Sequence, residues 1–217
     1  MTVTIVYGKP EHPSHTVTPY RSLKVYTPPA VEPVSLAEAK SHCKIDIDDD
    51  DAYVVSLITM AREYVEGVLD TSLITQTLEA RYNVFPLWEI VLPRPPMAAG
   101  TVTIVYRDEA GQDQTITSAA GQFQVDTATT PGRVFPLYNG VWPAVRGDEN
   151  SVTVRWQAGY GASGATTPAL CRGLILILVS HWYENRQPVV IGFSQALPIP
   201  HTFDTLLAAA GWGSYRG

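Results

Sequence analysis

The stretch PALCRGLILILVSHWYENRQ, residues 168–187, decides the fold of this chain. Thr167 offers a side-chain oxygen for an N-cap, Pro168 suits the first helical position, and Pro188 cannot continue a helix. The middle turns, residues 174–179, carry no polar side chain, which in a globular chain is typical of a helix surrounded by other elements. We therefore predict a central core helix over 168–187.

The same stretch is not a membrane span. Arg172 and His181 flank only eight residues, whereas a transmembrane helix needs about 20 mostly apolar ones. A strand of a parallel sheet can show a similar apolar run, but the length and the polar ends favour a helix. This expectation places the helix inside a protein core.

The charge of the chain is concentrated in one segment. The net charge is −6, and residues 35–73 hold nine acidic side chains against Lys40, Lys44 and Arg62, so this segment alone accounts for it. Proteins that grip nucleic acid by neutralising phosphates show a basic stripe, and no segment here has one. Tight DNA binding by this chain alone is therefore not expected.

Two further helices are predicted on either side of the run DIDDDD at 46–51. The first covers about 35–45, where Ser35 and Glu38 have the spacing of a capping box. The second covers about 50–70, with acids at its start that suit the positive end of a helix. Its apolar residues recur at helical spacing and are Val54, Leu57, Ile58, Ala61, Tyr64, Val65 and Val68.

The sequence pattern of residues 73–164 predicts strands. Alternating segments separated by turn residues predict about six to eight short strands, with a hairpin around 108–112. Such a series favours an antiparallel sheet folded on itself. The expected fold is thus α+β, with an antiparallel β domain inserted into a small helical bundle and extended arms at both ends.

The arms have two interpretations each. Residues 1–33 are rich in proline, and they form either a flexible leader or a strand that adds to a neighbour's sheet edge. Residues 188–217 contain only Asp204 and Arg216 as charged groups and several large apolar side chains. That tail either folds back on its own domain or docks on a partner, and we favour docking because aromatic anchors are typical of interface cores.

Motifs for chemistry are weak throughout. Gly159, Gly161 and Gly164 match G-x-G-x-x-G, but the helix does not begin at the glycines and no second parallel strand with an acid follows, so dinucleotide binding is disfavoured. The acids at 46, 48 and 50 resemble a calcium loop that fails at its sixth and twelfth positions. The histidines lack metal-site spacing.

We predict no catalytic residue, cofactor or metal, and we expect Cys43 and Cys171 to be buried thiols and not a disulfide.

Five segments in one order resemble the head-tail connector (adaptor) family of long-tailed double-stranded DNA phages and prophages. They are the helical block at 35–77, LPRPP at 92–96, FQVDTATTPGRVFP at 123–136, VTVRWQAGYG at 152–161 and LILILVSHWYENRQPVV at 174–190. The leader up to residue 33 is longer than is usual in that family. In the tail, AAAGWGS separates elements that look like the family's terminal motif.

The resemblance implies a structural role without catalysis. It implies a homo-oligomeric ring, typically of twelve copies, seated beneath the portal protein and above a tail-side neck or stopper protein, with DNA passing through the lumen without specific binding. The protein would be made in the host cytoplasm, with no membrane association, and would reside in the neck of the virion. The implied division is an N-terminal arm at 1–33, a ring-forming helical unit at 34–72 plus 165–187, the β domain at 73–164, and a C-terminal arm at 188–217.

Two sets of candidate interface residues follow. The candidates for the portal-docking arm are Pro198, Ile199, Pro200, Phe203, Leu206, Leu207, Trp212, Tyr215 and Arg216. The acids expected to face the channel, where negative charge keeps DNA from adhering, are Asp46, Asp48, Asp49, Asp50 and Asp51. Two rival functions stay open: a ligand-binding or enzymatic β domain that uses the loop at 159–164, and an accessory protein of DNA packaging.

Overall fold

The computed structural model describes residues 20–186 and 201–211. In chain order its strands and helices are β1 (Ser22–Thr27), α1 (Leu36–Cys43), α2 (Asp51–Leu69), β2 (Gln76–Tyr82), β3 (Ile90–Val91), β4 (Thr103–Arg107), β5 (Asp113–Thr117), β6 (Gln124–Asp126), β7 (Arg133–Phe135), β8 (Val152–Ala158), α3 (Ala169–Glu184) and α4 (His201–Gly211). All strand pairs are antiparallel, which confirms the predicted α+β class.

The strands form two sheets that share one apolar core. The larger sheet has the order β1-β2-β8-β4-β5 and the smaller the order β3-β7-β6. The alternation of β2 and β8 sends one set of side chains inward, so that Leu78 lies opposite Trp156 and Ala80 opposite Val154. These residues pack with Ile90 and other buried side chains of the smaller sheet. The predicted hairpin around 108–112 is confirmed as the β4–β5 connection.

A second core lies between the helices. α3 packs against α1, α2 and α4, so it is surrounded as its apolar middle predicts. Val54, Leu57, Ile58, Ala61 and Val65 of α2 lie in this core, as their spacing predicts. Tyr64 and Val68, which belong to the same predicted set, are exposed. None of the helices in the described part of the chain is long and apolar enough to cross a bilayer.

The predicted start of α1 is confirmed in detail. The Ser35 hydroxyl accepts from the Glu38 N–H at 3.2 Å, and Glu38 Oε2 accepts from the Ser35 N–H at 2.9 Å, which completes the capping box. The bond from the Ser35 N–H, and after it the bond that the Ser35 hydroxyl donates to Glu38 Oε2, lower the pKa of the Glu38 carboxyl. Two orphan donors of the first turn are thereby satisfied.

The ends of α3 differ from the prediction. The helix begins at Ala169 and ends at Glu184, and Pro168 occupies the N-cap with φ −52° and ψ 137° instead of the first helical position. Thr167 does not cap the helix, because its hydroxyl donates to the Leu73 carbonyl at 3.3 Å. That bond ties the start of α3 to the connection between α2 and β2, a long-range use of the side chain that local pattern does not reveal.

Both predicted arms need partial correction. Residues 22–27 form β1, which pairs with β2 of the same chain and is an edge strand of the larger sheet; residues 1–19 lie outside the described part. The C-terminal arm is not extended throughout, since His201–Gly211 forms α4 and packs on α3. Its apolar residues find a surface within the chain, which the helical spacing of Phe203, Leu206 and Leu207 could have indicated.

Candidate interaction surfaces

The acidic loop between α1 and α2 is partly neutralised by a single lysine. Lys40 Nζ lies 2.5 Å from Asp48 Oδ1 and 2.6 Å from Asp51 Oδ1. The hydrogen bond from Lys40 lowers the pKa of Asp48, and the two carboxylates raise the pKa of Lys40. Two of the five candidate channel acids therefore hold the loop against α1.

Asp50 binds the end of α3 instead of capping α2. Its Oδ2 accepts from the Tyr183 hydroxyl and from Arg186 Nη2, both at 2.7 Å, and these bonds, that from Tyr183 first, lower its pKa. The Arg186 guanidinium also lies 4.6 Å from the ring centroid of Tyr53. Asp50 occupies the N-cap position of α2, but its side chain makes no capping bond.

Asp46 and Asp49 remain exposed, and no ion pair engages them within residues 20–186 and 201–211. They are the members of the candidate channel set whose charge is least compensated. In the same described part of the chain, no three acidic, histidine or cysteine side chains converge as a metal site would require. Cys171 is buried, Cys43 is half-buried, and both are free thiols.

A buried ion pair joins the helical core to the sheet. Arg62 Nη1 lies 2.9 Å from Glu66 Oε2, and Arg62 Nε binds Glu32 Oε2 at 2.8 Å. The other oxygen of Glu66 accepts from the Leu73 N–H at 2.7 Å and from Gln76 Nε2 at 3.1 Å. Because Gln76 begins β2, this network fixes the direction in which the sheet leaves the helices.

A second buried carboxylate lies on the outer face of the larger sheet. Glu79 of β2 is 0% exposed and contacts Lys24 at 3.0 Å, Arg81 at 2.9 Å and Arg155 at 2.7 Å, so three adjacent strand positions converge on it. Burial raises the pKa of Glu79, but the bonds from Arg155, Lys24 and Arg81 outweigh burial and lower the pKa from 4.5 to about 2. Arg155 also stacks 4.0 Å from the centroid of Tyr26. The cluster links β1, β2 and β8.

The glycines of the 159–164 motif pack against backbone segments of the same chain. A Cβ at Gly159 would lie 2.4 Å from the Ile74 carbonyl carbon, and one at Gly164 would lie 2.5 Å from the Pro33 carbonyl oxygen. Gly159 has φ +131°, which favours glycine. A groove of about 530 Å³ runs beside residues 159–161. Because the glycines serve close approach of two backbone segments, they do not form the phosphate cradle that the rival function requires.

The predicted docking residues of the C-terminal segment separate into two groups. Phe203 is 2% exposed within the helical core, where its ring centroid lies 6.0 Å from that of Tyr64, and Leu206 and Leu207 are half-buried against the same core. The remaining candidates lie outside the described residues and are Pro198, Ile199, Pro200, Trp212, Tyr215 and Arg216. In this structure Phe203 anchors α4 and is not available to a partner.

One apolar surface was not predicted from the sequence. We define the tip surface as the side chains of Leu87, Trp88, Leu137, Tyr138 and Val141, on the β2–β3 and β7–β8 loops. Leu87 is 81% exposed, Trp88 60%, Tyr138 88% and Val141 89%. The two loops are held together by Phe85 and Trp142, whose rings stack with centroids 4.9 Å apart. Large apolar residues next to proline in both loops, Leu87 after Pro86 and Leu137 after Pro136, were the available signal, but loop sequences do not show what covers them.

The described residues form two cores, one between the helices and one between the two sheets. Residues 33–89 match the family of phage gp6-like head-tail connector proteins, which confirms the predicted resemblance to head-tail connectors. No curated protein matches the chain in sequence.

Solved structures of similar fold come from phage-like particles. One is a chain of the "Neck of empty GTA particle computed with C6 symmetry", with a TM-score of 0.70 and 20% identity over 90% of this chain and 97% of that chain. Another, from the "Virion of native gene transfer agent (GTA) particle", has a TM-score of 0.69 and 20% identity over 86% and 93%. A third, from the "Neck of native GTA particle computed with C12 symmetry", has a TM-score of 0.63 and 21% identity over 89% and 97%. At this identity the likeness establishes the fold.

Proposed function

We propose that this protein is a structural head-tail connector, located in the neck of a phage or phage-like particle, and that it catalyses no reaction. The observation that carries the proposal is the likeness of fold to chains of gene transfer agent particles, two of them from necks, over 86–90% of this chain. The match of residues 33–89 to head-tail connector proteins supports the same role independently of the fold.

The proposed assembly is a ring of identical copies through which DNA passes. The neck structures of similar fold were computed with C6 and C12 symmetry, which supports a cyclic arrangement and agrees with the twelve copies that the resemblance implies. We assign ring formation to the helical unit and place Asp46 and Asp49 toward the channel, where uncompensated negative charge repels the DNA backbone. The portal protein on one side and a stopper protein on the other complete the proposed neck.

Docking on the portal is assigned to the extreme C-terminus. α4 is anchored in the helical core through Phe203, which leaves as contacts the candidates that come before and after this helix in the sequence. Pro198, Trp212 and Tyr215, with their neighbours, remain the proposed contacts. Removing everything from residue 198 onward would also remove a core side chain, so that deletion cannot separate docking from folding.

A shorter deletion tests the proposal. Chains that lack residues 212–217 keep α4, and we expect them to fold and form rings but to lose binding to portal-bearing heads in co-sedimentation. A Phe203→Ala variant is the control for loss of folding, which thermal unfolding detects. Electron microscopy of the purified protein, alone and with portal, shows whether rings form. A single copy in finished particles, or full head binding after the deletion, would overturn the proposal.

A further inference from the structure

The tip surface lies at the end of the β domain that is farthest from the helical unit. β2 begins beside Glu66 and runs away from the helices to Tyr82, and β8 returns from Val152 to Gly159, which packs on the α2–β2 connection. Seven strand residues at about 3.3 Å each separate the two ends by about 23 Å. A surface in this position does not belong to the helical core and cannot be covered by α4.

The tip surface is apolar and uncharged. Residues 83–88 and 136–145 contain no charged side chain. The nearest charges along the chain are already paired, Glu89 with Arg133 at 2.5 Å and Arg146 with Asp148 at 3.1 Å. Exposed apolar patches of this kind are uncommon on isolated proteins and mark interaction sites. The occupant must therefore be neutral and apolar, which excludes DNA and a basic or acidic peptide.

The N-terminal segment of this chain begins at the tip. The Arg21 N–H donates to the Arg81 carbonyl at 2.7 Å, and Ser22 lies opposite Arg81 in the antiparallel β1–β2 pair. Arg21 therefore lies beside Arg81, one residue before the end of β2 at Tyr82, and Tyr20 precedes it. Tyr20, to which residues 1–19 are joined, lies near the end of β2, where the β2–β3 loop of the tip surface begins.

The composition of this segment fits the tip surface. Residues 1–8, MTVTIVYG, carry no charged side chain, and Val3, Ile5 and Tyr7 alternate with Thr2 and Thr4, so one side of an extended chain would be apolar. The thirteen residues from Tyr7 to Tyr20 span up to about 43 Å when extended, which exceeds the size of a surface formed by two loops. The N-terminal segment therefore fits the tip surface in its length, in the place where it joins the fold and in its apolar character.

We propose that the tip surface is a docking site for residues 1–8 of this protein, with Val3, Ile5 and Tyr7 as the side chains that cover Leu87, Tyr138 and Val141. The segment comes from the same copy, because Arg21 of that copy is bound at the end of β2. This inference does not depend on the head-tail role, because the contact can be measured on the purified protein.

Cysteine labelling measures whether the tip surface is covered. Val141→Cys introduces a thiol at the tip surface, and Ala52→Cys introduces one at an exposed position of α2. In the full chain we expect maleimide to label Cys at 141 at least about tenfold more slowly than in a chain lacking residues 1–19, which corresponds to about 1.4 kcal/mol of docking. The rate at position 52 should be the same in both chains. Mass spectrometry of the peptides separates these sites from the native cysteines.

One triple and one double variant test which side of the segment docks. Val3→Asp, Ile5→Asp and Tyr7→Asp together should label as fast as the deletion, whereas Thr2→Asp with Thr4→Asp should keep the slow rate. Dilution tests the source: the slow rate should hold at every concentration, and a rate that rises on dilution, which indicates a segment from an adjacent copy, would contradict docking within one copy. Equal rates in the full and deleted chains, or protection that survives the deletion because tips pair with each other, would overturn the proposal.

Discussion

Glu79 should make the stability of the protein depend on pH in a defined window. Its carboxylate is buried and binds three cations, and its pKa is about 2 instead of 4.5. A group whose pKa is lower in the folded state stabilises the fold fully above its unfolded pKa. That contribution is lost as pH falls from about 5 to about 2.

The size of this contribution follows from the two pKa values. The difference between 4.5 and about 2 corresponds to about 3 kcal/mol as an upper limit. Because the side chains of Lys24, Arg81 and Arg155 are 51%, 38% and 34% exposed, water screens the cluster, and we expect about 1–2 kcal/mol.

The measurement compares urea unfolding of the wild type and Glu79→Gln between pH 6 and pH 2.5, followed by circular dichroism. Glutamine keeps the shape of the side chain and one acceptor oxygen but has no charge to lose. At pH 6 the variant should be less stable by about 1–2 kcal/mol, and the difference should shrink toward zero at the acid end. Glu109→Gln, at an exposed position in the β4–β5 turn, is the control and should show no such difference. A difference between wild type and Glu79→Gln that stays constant with pH would refute the reasoning.

Three further substitutions, two of them with a comparison variant, are measured by the same unfolding assay. They probe the buried ion pair, the capping box and the close backbone packing at Gly159. Glu66→Ala leaves Arg62 without its buried partner and should cost about 3–5 kcal/mol; a loss below about 1 kcal/mol would contradict the role of this pair. Ser35→Ala removes the capping box and should cost about 1 kcal/mol, with Ser35→Thr as a near-neutral comparison. Gly159→Ala should destabilise by more than about 2 kcal/mol, whereas Gly67→Ala, with no atom within 4 Å of its Cβ in α2, should stabilise by about 0.5–1 kcal/mol. Equal stability of the two alanine variants would refute the packing argument.

Local sequence signals were sufficient for the elements whose causes are local. The capping box at Ser35 and the helical spacing from Val54 to Val65 predicted α1 and α2 to within a residue or two, and the turn residues at 108–112 predicted the β4–β5 hairpin. The apolar middle of α3 predicted its central place. In each case the residues that determine the structure lie within about two turns of one another.

The sequence did not predict side-chain contacts between residues that are far apart along the chain. Thr167 was expected to cap α3, but its hydroxyl binds the Leu73 carbonyl, 94 positions away in the sequence. The acids at the start of α2 were expected to suit the positive end of that helix, but the Asp50 carboxylate binds Tyr183, 133 positions away. The buried role of Glu79 depends on neighbours from β1 and β8, and strand order is not encoded in any one segment. Side chains with several possible partners are therefore where sequence reasoning fails in this protein.

β2 and β8, which connect the helical unit to the β domain, are paired through seven consecutive residues from Gln76↔Ala158 to Tyr82↔Val152. Both connections to the helices lie at the same end of this ladder. A pull between the tip and the helical unit would therefore act along the strands, and its load would be shared among the flanking hydrogen bonds of β1 and β4 as well as this central pair. Strands loaded in this direction separate only when many hydrogen bonds break at once. A force on the tip is therefore transmitted to the helical unit without extending the sheet between them.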